Sequence, residues 1–149
     1  MKLTQHADYA LRILVYLGTH RDDLVTVAEV ATAYDISRHH LHKVVSELGR
    51  LGYLEVRRGV GGGMRLARDP AEITLGRVTR QLDQGAPLVE CFDPERDGCV
   101  ISPVCAIKGS LARALEAFYA VLDEQTLADL VAGSRRTKLA GVLPRSGAS

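Results

Sequence analysis

The 149-residue chain has no tryptophan, and aromatic residues make up only 5% of it. Because a surface that stacks single-stranded bases needs several aromatic rings, this composition argues against that mode of nucleic-acid binding. Long apolar runs are also absent: the longest stretch without Asp, Glu, Lys or Arg is the ten residues Gly98–Ile107. A membrane-spanning helix needs about 18 apolar residues, so the sequence predicts no membrane partner.

The remaining composition is that of an ordinary globular domain, with 46% hydrophobic and 25% charged residues. His6, Asp8 and Arg12 interrupt the first apolar stretch, which is unlike a secretory signal. We find no acid–base pair or nucleophile arrangement that suggests a catalytic centre. We therefore expect a cytoplasmic protein that is not an enzyme.

Charge is unevenly distributed along the chain, although the formal net charge is only +1. Residues 38–68 contain seven basic and two acidic side chains, whereas residues 83–97 contain five acidic side chains and one basic. The sequence therefore contains a basic module followed by an acidic segment.

The first part of the chain has the hydrophobic periodicity of three helices. Apolar residues at helical spacing predict a helix over about residues 4–19. Thr26 and Glu29 match a capping box, in which each side chain bonds the other residue's backbone N–H, so a short second helix is expected here. After a turn, Ser37 is expected to cap a longer helix whose apolar face is formed by Leu41, Val44, Val45, Leu48 and Leu51.

A glycine-rich hairpin follows these helices. The alternating segments 53–57 and 64–67 predict two short strands, which Gly59–Gly63 joins. Three helices and a hairpin in this order are typical of a winged helix-turn-helix DNA-binding domain, which we assign to residues 1–84.

The rest of the chain divides into a loop, a helical segment and a tail. A helix closed by Gly85 is expected before a proline-interrupted, acidic loop over residues 85–102. A long helix opened by Ser102-Pro103, and a short one after it, are expected over residues 103–133. The polar, basic residues 134–149 predict a flexible tail.

The longer helix and the hairpin carry the candidate DNA-binding residues. In a helix-turn-helix motif the second helix enters the major groove of double-stranded DNA with its N-terminal residues first, and wing arginines suit the minor groove. The predicted contacts are Ser37, Arg38, His39, His40, His42, Lys43, Arg57, Arg58, Gly61, Gly62, Gly63 and Arg65. A solvated basic face and a flexible turn are the plainer alternatives for single elements. A metal site on the three histidines is disfavoured because His39 and His40 point in different directions on a helix.

Three cysteines lie within 15 residues: Cys91, Cys99 and Cys105. The odd number disfavours a disulfide framework, and the absence of a C-x-x-C pair disfavours a zinc ribbon or a thioredoxin-like site. Thiolates on a loop beside a helix N-terminus can hold an iron–sulfur cluster. A four-iron cluster normally takes four cysteines, so a different fourth ligand would leave one iron reachable by a small molecule, which suits sensing. Three buried cysteines packed as small hydrophobic residues are the alternative.

Several segments together resemble a known family. Leu3–Arg12, Ser37–Val45, the wing Val56–Gly63 and the three cysteines are similar to the iron–sulfur winged-helix transcription regulators that include NsrR and IscR. Ala117-Phe118-Tyr119 and Thr126–Val131 resemble most the NsrR branch, the nitric-oxide-sensing repressors. The resemblance covers about residues 1–131 and implies a DNA-binding transcriptional repressor.

The resemblance also implies a homodimer on a palindromic operator, with the helix after Cys105 as the dimerisation helix. It implies an iron–sulfur cluster, 4Fe-4S or alternatively 2Fe-2S, held by Cys91, Cys99 and Cys105 and by Asp8 of the partner subunit. Nitric oxide is the implied signal, and nitrosylation of the cluster is expected to release the operator. Asp8 lies away from the apolar face of its predicted helix and can therefore project from its own core.

The fourth ligand stays open between Asp8 and three competitors, which are His6, Glu90 and Asp93. The seven residues between Cys91 and Cys99 are more than is usual in the family, which affects the geometry of this loop.

Two alternative functions also stay open. One is an IscR-like regulator that reports cluster supply; that pattern has a histidine shortly after the third cysteine, whereas Ala106–Gly109 follows here. The other is a winged-helix regulator whose cysteines bind zinc or sense thiol oxidation.

Overall fold

Helices and a single hairpin make up the computed structural model, which describes residues 3–83 and 87–145. The helices are α1 (Gln5–Thr19), α2 (Val27–Tyr34), α3 (Arg38–Arg50), α4 (Leu75–Leu82), α5 (Ala106–Asp123), α6 (Leu127–Leu130) and α7 (Gly133–Val142), and the strands are β1 (Leu54–Arg57) and β2 (Gly63–Leu66). The predicted fold class, mainly α with a small hairpin wing, is confirmed. Among the helices in the two described ranges, none has both the length and the apolar content for crossing a bilayer.

The starts of the first helices follow from their capping residues. The Thr4 hydroxyl accepts a hydrogen bond from the Ala7 N–H at 3.2 Å, which satisfies one free donor at the start of α1. The capping box of α2 is confirmed, because Thr26 and Glu29 bond each other's backbone N–H groups. The cap predicted at Ser37 is wrong in its detail: the residue occupies the N-cap position of α3, but its side chain makes no capping bond.

Helix α1 is the centre of the core. Its fully buried residues Ala10, Ile13 and Leu14 belong to one apolar cluster with Leu41 and Leu48 of α3. Helix α1 also contacts α4, α6, α7 and β2. Burial of one face of this helix therefore fixes the position of most other elements, including the second helix of the helix-turn-helix motif.

The hairpin is antiparallel and is extended by a third short segment. Leu54 pairs with Leu66 and Arg57 with Gly63. Val25 forms a β-bridge to Met64, with its N–H 2.9 Å from the Met64 carbonyl and its own carbonyl 2.7 Å from the Met64 N–H. These two bonds attach the hairpin to the chain segment just before α2.

The beginning of α5 differs from the prediction. Ser102–Val104 forms a separate 3-10 turn, and α5 begins only at Ala106. Cys105, between them, has an extended backbone that breaks the helical path, so it is the N-cap of α5 rather than part of its first turn. The third cysteine therefore lies at the junction of the loop and the long helix.

The prediction of a flexible tail from residue 134 is wrong for the part that the structure describes. Residues Gly133–Val142 form α7, and Leu143 after it is buried in the core cluster. Leu139 and Leu143, four residues apart, give this polar helix a narrow apolar side that packs on the core. The predicted boundary at 84/85, the closing Gly85 and the last four residues of the tail lie outside the described residues.

Helices α4 and α5 approach each other closely at Gly76. A Cβ atom built on Gly76 would lie 2.7 Å from the Tyr119 carbonyl oxygen and would collide with the Asp123 carboxylate. Beside this contact Arg80 forms a 2.6 Å ion pair with Asp123 and lies over the Tyr119 ring, 4.7 Å from its centre. The glycine therefore lets the cysteine-bearing half dock on the helix that ends the DNA-binding half.

We predict that Gly76→Ala lowers the free energy of unfolding by about 1–3 kcal/mol, because the added methyl group meets backbone and carboxylate atoms. Gly141→Ala in α7 is the matched control, since nothing lies within 4 Å of its Cβ position. Urea denaturation followed by circular dichroism measures both variants. Equal stability of the two variants would contradict this role of Gly76.

Candidate nucleic-acid interface and cysteine loop

Helix α3 has one buried face and one exposed polar face. Leu41, Val44, Val45 and Leu48 are all buried, as the periodicity predicts. The opposite side and the N-terminal end are exposed, and they carry all the predicted contacts of this helix, which are Ser37, Arg38, His39, His40, His42 and Lys43. The structure therefore leaves all six predicted residues accessible to solvent.

A cleft of about 730 Å³ lies between α3 and the wing. Its walls include Arg38 and His42 from α3, Arg57 and Arg58 from the wing, and the residues Thr26–Ala28 at the start of α2. Two sequence-distant groups of predicted contacts thus share one opening. Their cationic and N–H groups are the donors that bind phosphate oxygens.

The wing arginines are not equivalent. Arg65 donates from Nε and Nη2 to the Glu55 carboxylate across the hairpin, at 2.9 and 3.1 Å. Hydrogen bonding and the neighbouring charge of Arg65 lower the pKa of the Glu55 carboxyl. In residues 3–83 and 87–145, Arg57 and Arg58 are exposed and form no ion pair within 4 Å. Their charges are therefore the ones available to a phosphate, while that of Arg65 is already partly compensated.

Wing glycines are required by the hairpin itself. An added Cβ atom would collide with the Arg57 carbonyl oxygen at Gly62, and would lie 2.9 Å from the Val25 carbonyl oxygen at Gly63. Gly61 has a φ of +71°, a conformation that favours glycine. Gly61–Gly63 are predicted from the sequence to contact DNA, and the structure gives each of them a role in shaping the hairpin as well.

The three cysteines lie on the segment from residue 87 to α5. All three are free thiols; Cys99 is exposed, whereas Cys91 and Cys105 are half-buried. Asp97 orders the middle of this segment, because its carboxylate accepts from the Cys99 N–H, the Ser102 hydroxyl and the Lys108 ammonium group. The Ser102 hydrogen bond is the main reason that the pKa of the Asp97 carboxyl is lowered. Sequence analysis missed this role, although Asp97-Gly98 is a usual turn signal.

The candidate fourth ligands have other partners in the single chain. Glu90 accepts from the Gly98 N–H at 3.0 Å, and Asp93 accepts from the Glu95 N–H at 3.0 Å, so both carboxylates hold the loop together. Asp8 forms a 2.9 Å ion pair with Arg12 at the surface of α1. His6 lines a separate cavity between α1, α3 and α4.

The donor types fit an iron–sulfur cluster, since three unpaired thiols and several carboxylates are present. Within the two described ranges, however, one chain does not gather three or more His, Cys, Asp or Glu side chains into a metal-binding group. The cysteines lie on one loop that ends at α5, whereas Asp8 lies on α1.

Similar proteins agree with this architecture. An HTH-type transcriptional regulator NsrR from Geobacillus kaustophilus is 48% identical over 132 residues, covering 88% of this chain and 90% of the relative. The protein of the same description from Bacillus subtilis is 49% identical over 132 residues, with the same coverage. The solved structure of CymR, the global cysteine regulator of B. subtilis, superposes with a TM-score of 0.67 at 27% identity, covering 87% of this chain and 95% of that one.

Residues 3–133 match the family described as Rrf2, iron-dependent transcriptional regulator. This match spans the helix-turn-helix motif, the wing, the cysteine loop and α5, which are the elements that carry the exposed basic face and the three thiols. The chain therefore belongs to the Rrf2 family of iron-dependent transcriptional regulators.

Proposed function

We propose that this regulator, which is of the NsrR type, is a cytoplasmic homodimeric repressor that binds a palindromic operator and releases it on reaction with nitric oxide. The observation that carries the proposal is the presence of three free thiols on one ordered loop that directly precedes an unburied helix. Nitric oxide is proposed as the signal because the chain is similar to NsrR relatives.

The DNA-binding half acts through α3 and the wing. With its apolar face packed on α1, α3 can enter a major groove and present Arg38 and His42 to base edges or phosphates. Arg57 and Arg58 lie on the same cleft and reach the neighbouring backbone or minor groove. Phosphate contacts position the domain, while contacts to base edges select the sequence.

Helix α5 is the proposed dimerisation helix. None of its 18 residues is buried in the protomer, although it carries a stripe of apolar side chains. Ile107 and Val121, two of that stripe, are 66% and 63% exposed. A stripe of this kind on a soluble surface marks an interface, and a twofold axis across α5 would place two α3 helices on the two half-sites of a palindrome.

The proposed cofactor is an iron–sulfur cluster, 4Fe-4S or 2Fe-2S, held by Cys91, Cys99 and Cys105 and by the partner subunit's Asp8. When bound, it supplies iron that reacts with nitric oxide. Asp8 projects from the exposed side of α1, where only Arg12 engages it in the described protomer. This accessibility supports a ligand given to a second chain, and the loop-ordering roles of Glu90 and Asp93 make those two residues weaker candidates.

The protein transmits loss of this anchor through packed elements. Asp8 follows the fully buried Ala7 in α1, and α1 packs directly on α3 and α4. Release of Asp8 and of the cysteine loop therefore frees α1 and α4 to shift with the recognition helix. A change of a few kcal/mol in the free-energy difference between the DNA-binding and the released arrangement of the protein is enough to dissociate it from the operator.

The proposed function is tested by a mobility-shift titration on an operator selected in vitro by the anaerobically purified protein. We expect tight binding before nitric oxide is added and at least tenfold weaker binding after stoichiometric addition, because the shared anchor is lost. Unchanged affinity would reject nitric-oxide sensing and leave DNA binding standing. Visible absorbance of the same sample separates an iron–sulfur cluster from zinc, which is colourless.

Arg38→Ala is predicted to weaken specific binding more than non-specific binding, because Arg38 lies at the leading end of α3. Arg58→Ala should weaken both uniformly and reduce the slope of log K against log salt by about one. Arg65→Ala is the matched wing control, and its effect should be smaller because Glu55 already compensates the charge. A larger salt effect for Arg65→Ala than for Arg58→Ala would show that the wing contacts are assigned to the wrong arginine.

Asp8→Ala is predicted to leave a cluster that is lost faster, because one protein ligand is replaced by solvent. Glu95→Ala, on the cysteine loop, should lose the cluster at the rate of the intact protein, since Glu95 is exposed and its carboxylate makes no hydrogen bond within residues 3–83 and 87–145. Decay of visible absorbance in the presence of a chelator measures both rates. Equal decay for Asp8→Ala and the intact protein would assign the fourth ligand to another residue, with His6 tested next.

A further inference from the structure

The last residues that the structure describes pack against the DNA-binding half of the chain. We call residues 133–145 the C-terminal strap; it begins where the family match ends. The Leu143 carbonyl lies 2.7 Å from His20 Nε2, and the Pro144 carbonyl accepts from the Tyr16 hydroxyl at 3.4 Å. Arg136 donates from Nε to the Thr19 carbonyl at 2.9 Å. The strap therefore lies along the end of α1 and the loop that leads to α2.

Arg145 makes the most extensive contacts of the strap. Its guanidinium donates to Asp23 at 2.7 Å, to the Leu24 carbonyl at 3.0 Å, and to Glu29 Oε1 from two nitrogens at 3.1 and 3.0 Å. The side chain of Arg145 is 27% exposed and that of Glu29 only 11%. A forked, partly buried arrangement of this kind is stronger than an ordinary surface ion pair.

Glu29 links this contact to the start of α2. Its Oε2 accepts from the Thr26 N–H at 2.7 Å and from the Thr26 hydroxyl at 2.9 Å, which forms the capping box, while its Oε1 faces Arg145. Burial alone would raise the pKa of the Glu29 carboxyl, but hydrogen bonds from Thr26 and Arg145 outweigh it and keep that pKa below its usual value. Arg145 thus holds the carboxylate that fixes the first turn of α2.

The first turn of α2 belongs to the cleft that we assign to DNA. Thr26, Val27 and Ala28 line it together with Arg38 and Arg58. In a helix-turn-helix motif the first helix crosses the DNA backbone, so its first turn must be fixed in place. Arg145 also compensates two carboxylates near the start of α2, Asp23 and Glu29, whose negative charge would otherwise oppose the approach of phosphates.

We infer that Arg145, through the C-terminal strap, is a positioning residue for DNA binding: it locks the capped first turn of α2 and neutralises Asp23 and Glu29. The inference rests on the DNA-binding part of the proposed function. It concerns a segment that follows the residues of the family match.

The test compares Arg145→Ala and Arg145→Lys with the intact full-length protein. Arg135→Ala is the matched control, because Arg135 lies in the same strap, on α7, and among the described residues its side chain donates only to the Asp129 carbonyl of α6. The probe is a duplex selected from a randomised library by the intact protein, used at two salt concentrations. Backbone hydrogen exchange of residues 24–30 is measured on the same proteins without DNA.

For Arg145→Ala we expect about fivefold weaker binding, a deficit that shrinks at high salt, and faster exchange over residues 24–30. The affinity and the exchange rate of Arg145→Lys should lie between those of Arg145→Ala and those of the intact protein, since lysine keeps the charge but cannot form the forked pair of hydrogen bonds. Glu29→Gln in the Arg145→Ala background should recover part of the affinity, because it removes an uncompensated carboxylate while keeping an oxygen for the cap. Arg135→Ala should have the duplex affinity and the exchange rates over residues 24–30 of the intact protein.

Affinity and exchange of Arg145→Ala equal to those of the intact protein would overturn the inference while leaving the proposed function intact. An effect of Arg135→Ala as large as that of Arg145→Ala would also overturn it, since any change in α7 would then suffice. Should the intact protein select no duplex, the proposed function fails, and hydrogen exchange alone decides whether the strap locks α2.

Discussion

Burial of one face of α1 is the constraint on which the rest of the structure depends. Ala7, Ala10, Ile13 and Leu14 are fully buried, and α1 contacts the recognition helix α3, the wing strand β2 and helices α4, α6 and α7. Packed interiors do not deform continuously, so a displacement of α1 is expected to move the helices and the strand that pack on it. Asp8, one residue after Ala7, has a side chain that is 42% exposed, and a ligand bond from it to a second chain would therefore act on the whole DNA-binding domain.

Helix α5 and the cysteine loop are the parts of the molecule that the proposed dimer and cluster concern. Helix α5 buries none of its residues in the protomer, and within residues 3–83 and 87–145 the three cysteines are not brought together into a metal-binding group, either with one another or with a further donor. The proposed dimer would cover the unburied face of α5, and the proposed cluster would draw the three thiols together with a donor of the partner subunit. The close α4–α5 contact at Gly76 connects α5 to the DNA-binding half.

Much of the DNA-binding half could be predicted from the sequence because local signals specify it. The capping box at Thr26 and the apolar spacing on α3 depend on residues three or four positions apart, and both are confirmed. The predicted start of α5 is too early, since Ser102-Pro103 carries the usual helix-opening signal but forms only a 3-10 turn. The sequence predicts a flexible tail because the segment that forms α7 is polar and has only a narrow apolar side.

The long-range contacts of charged residues could not be predicted. Arg65 and Arg68 both belong to the basic module in the sequence, yet Arg65 pairs with Glu55, and Arg68 donates to the Leu51 and Gly52 carbonyls at the end of α3. Counting charges therefore overstates the positive surface that DNA meets. Arg145 and Glu29 are 116 residues apart in the chain, so no local sequence pattern predicts their contact.

The measurement that tests the central claim most directly is native mass spectrometry of protein purified without oxygen, which reports subunits, iron and sulfide in one spectrum. The account predicts a dimer that carries one iron–sulfur cluster per subunit, and an Asp8→Ala dimer that loses them more readily. An iron-free protein that binds its selected operator as tightly as any iron-loaded sample would contradict the account.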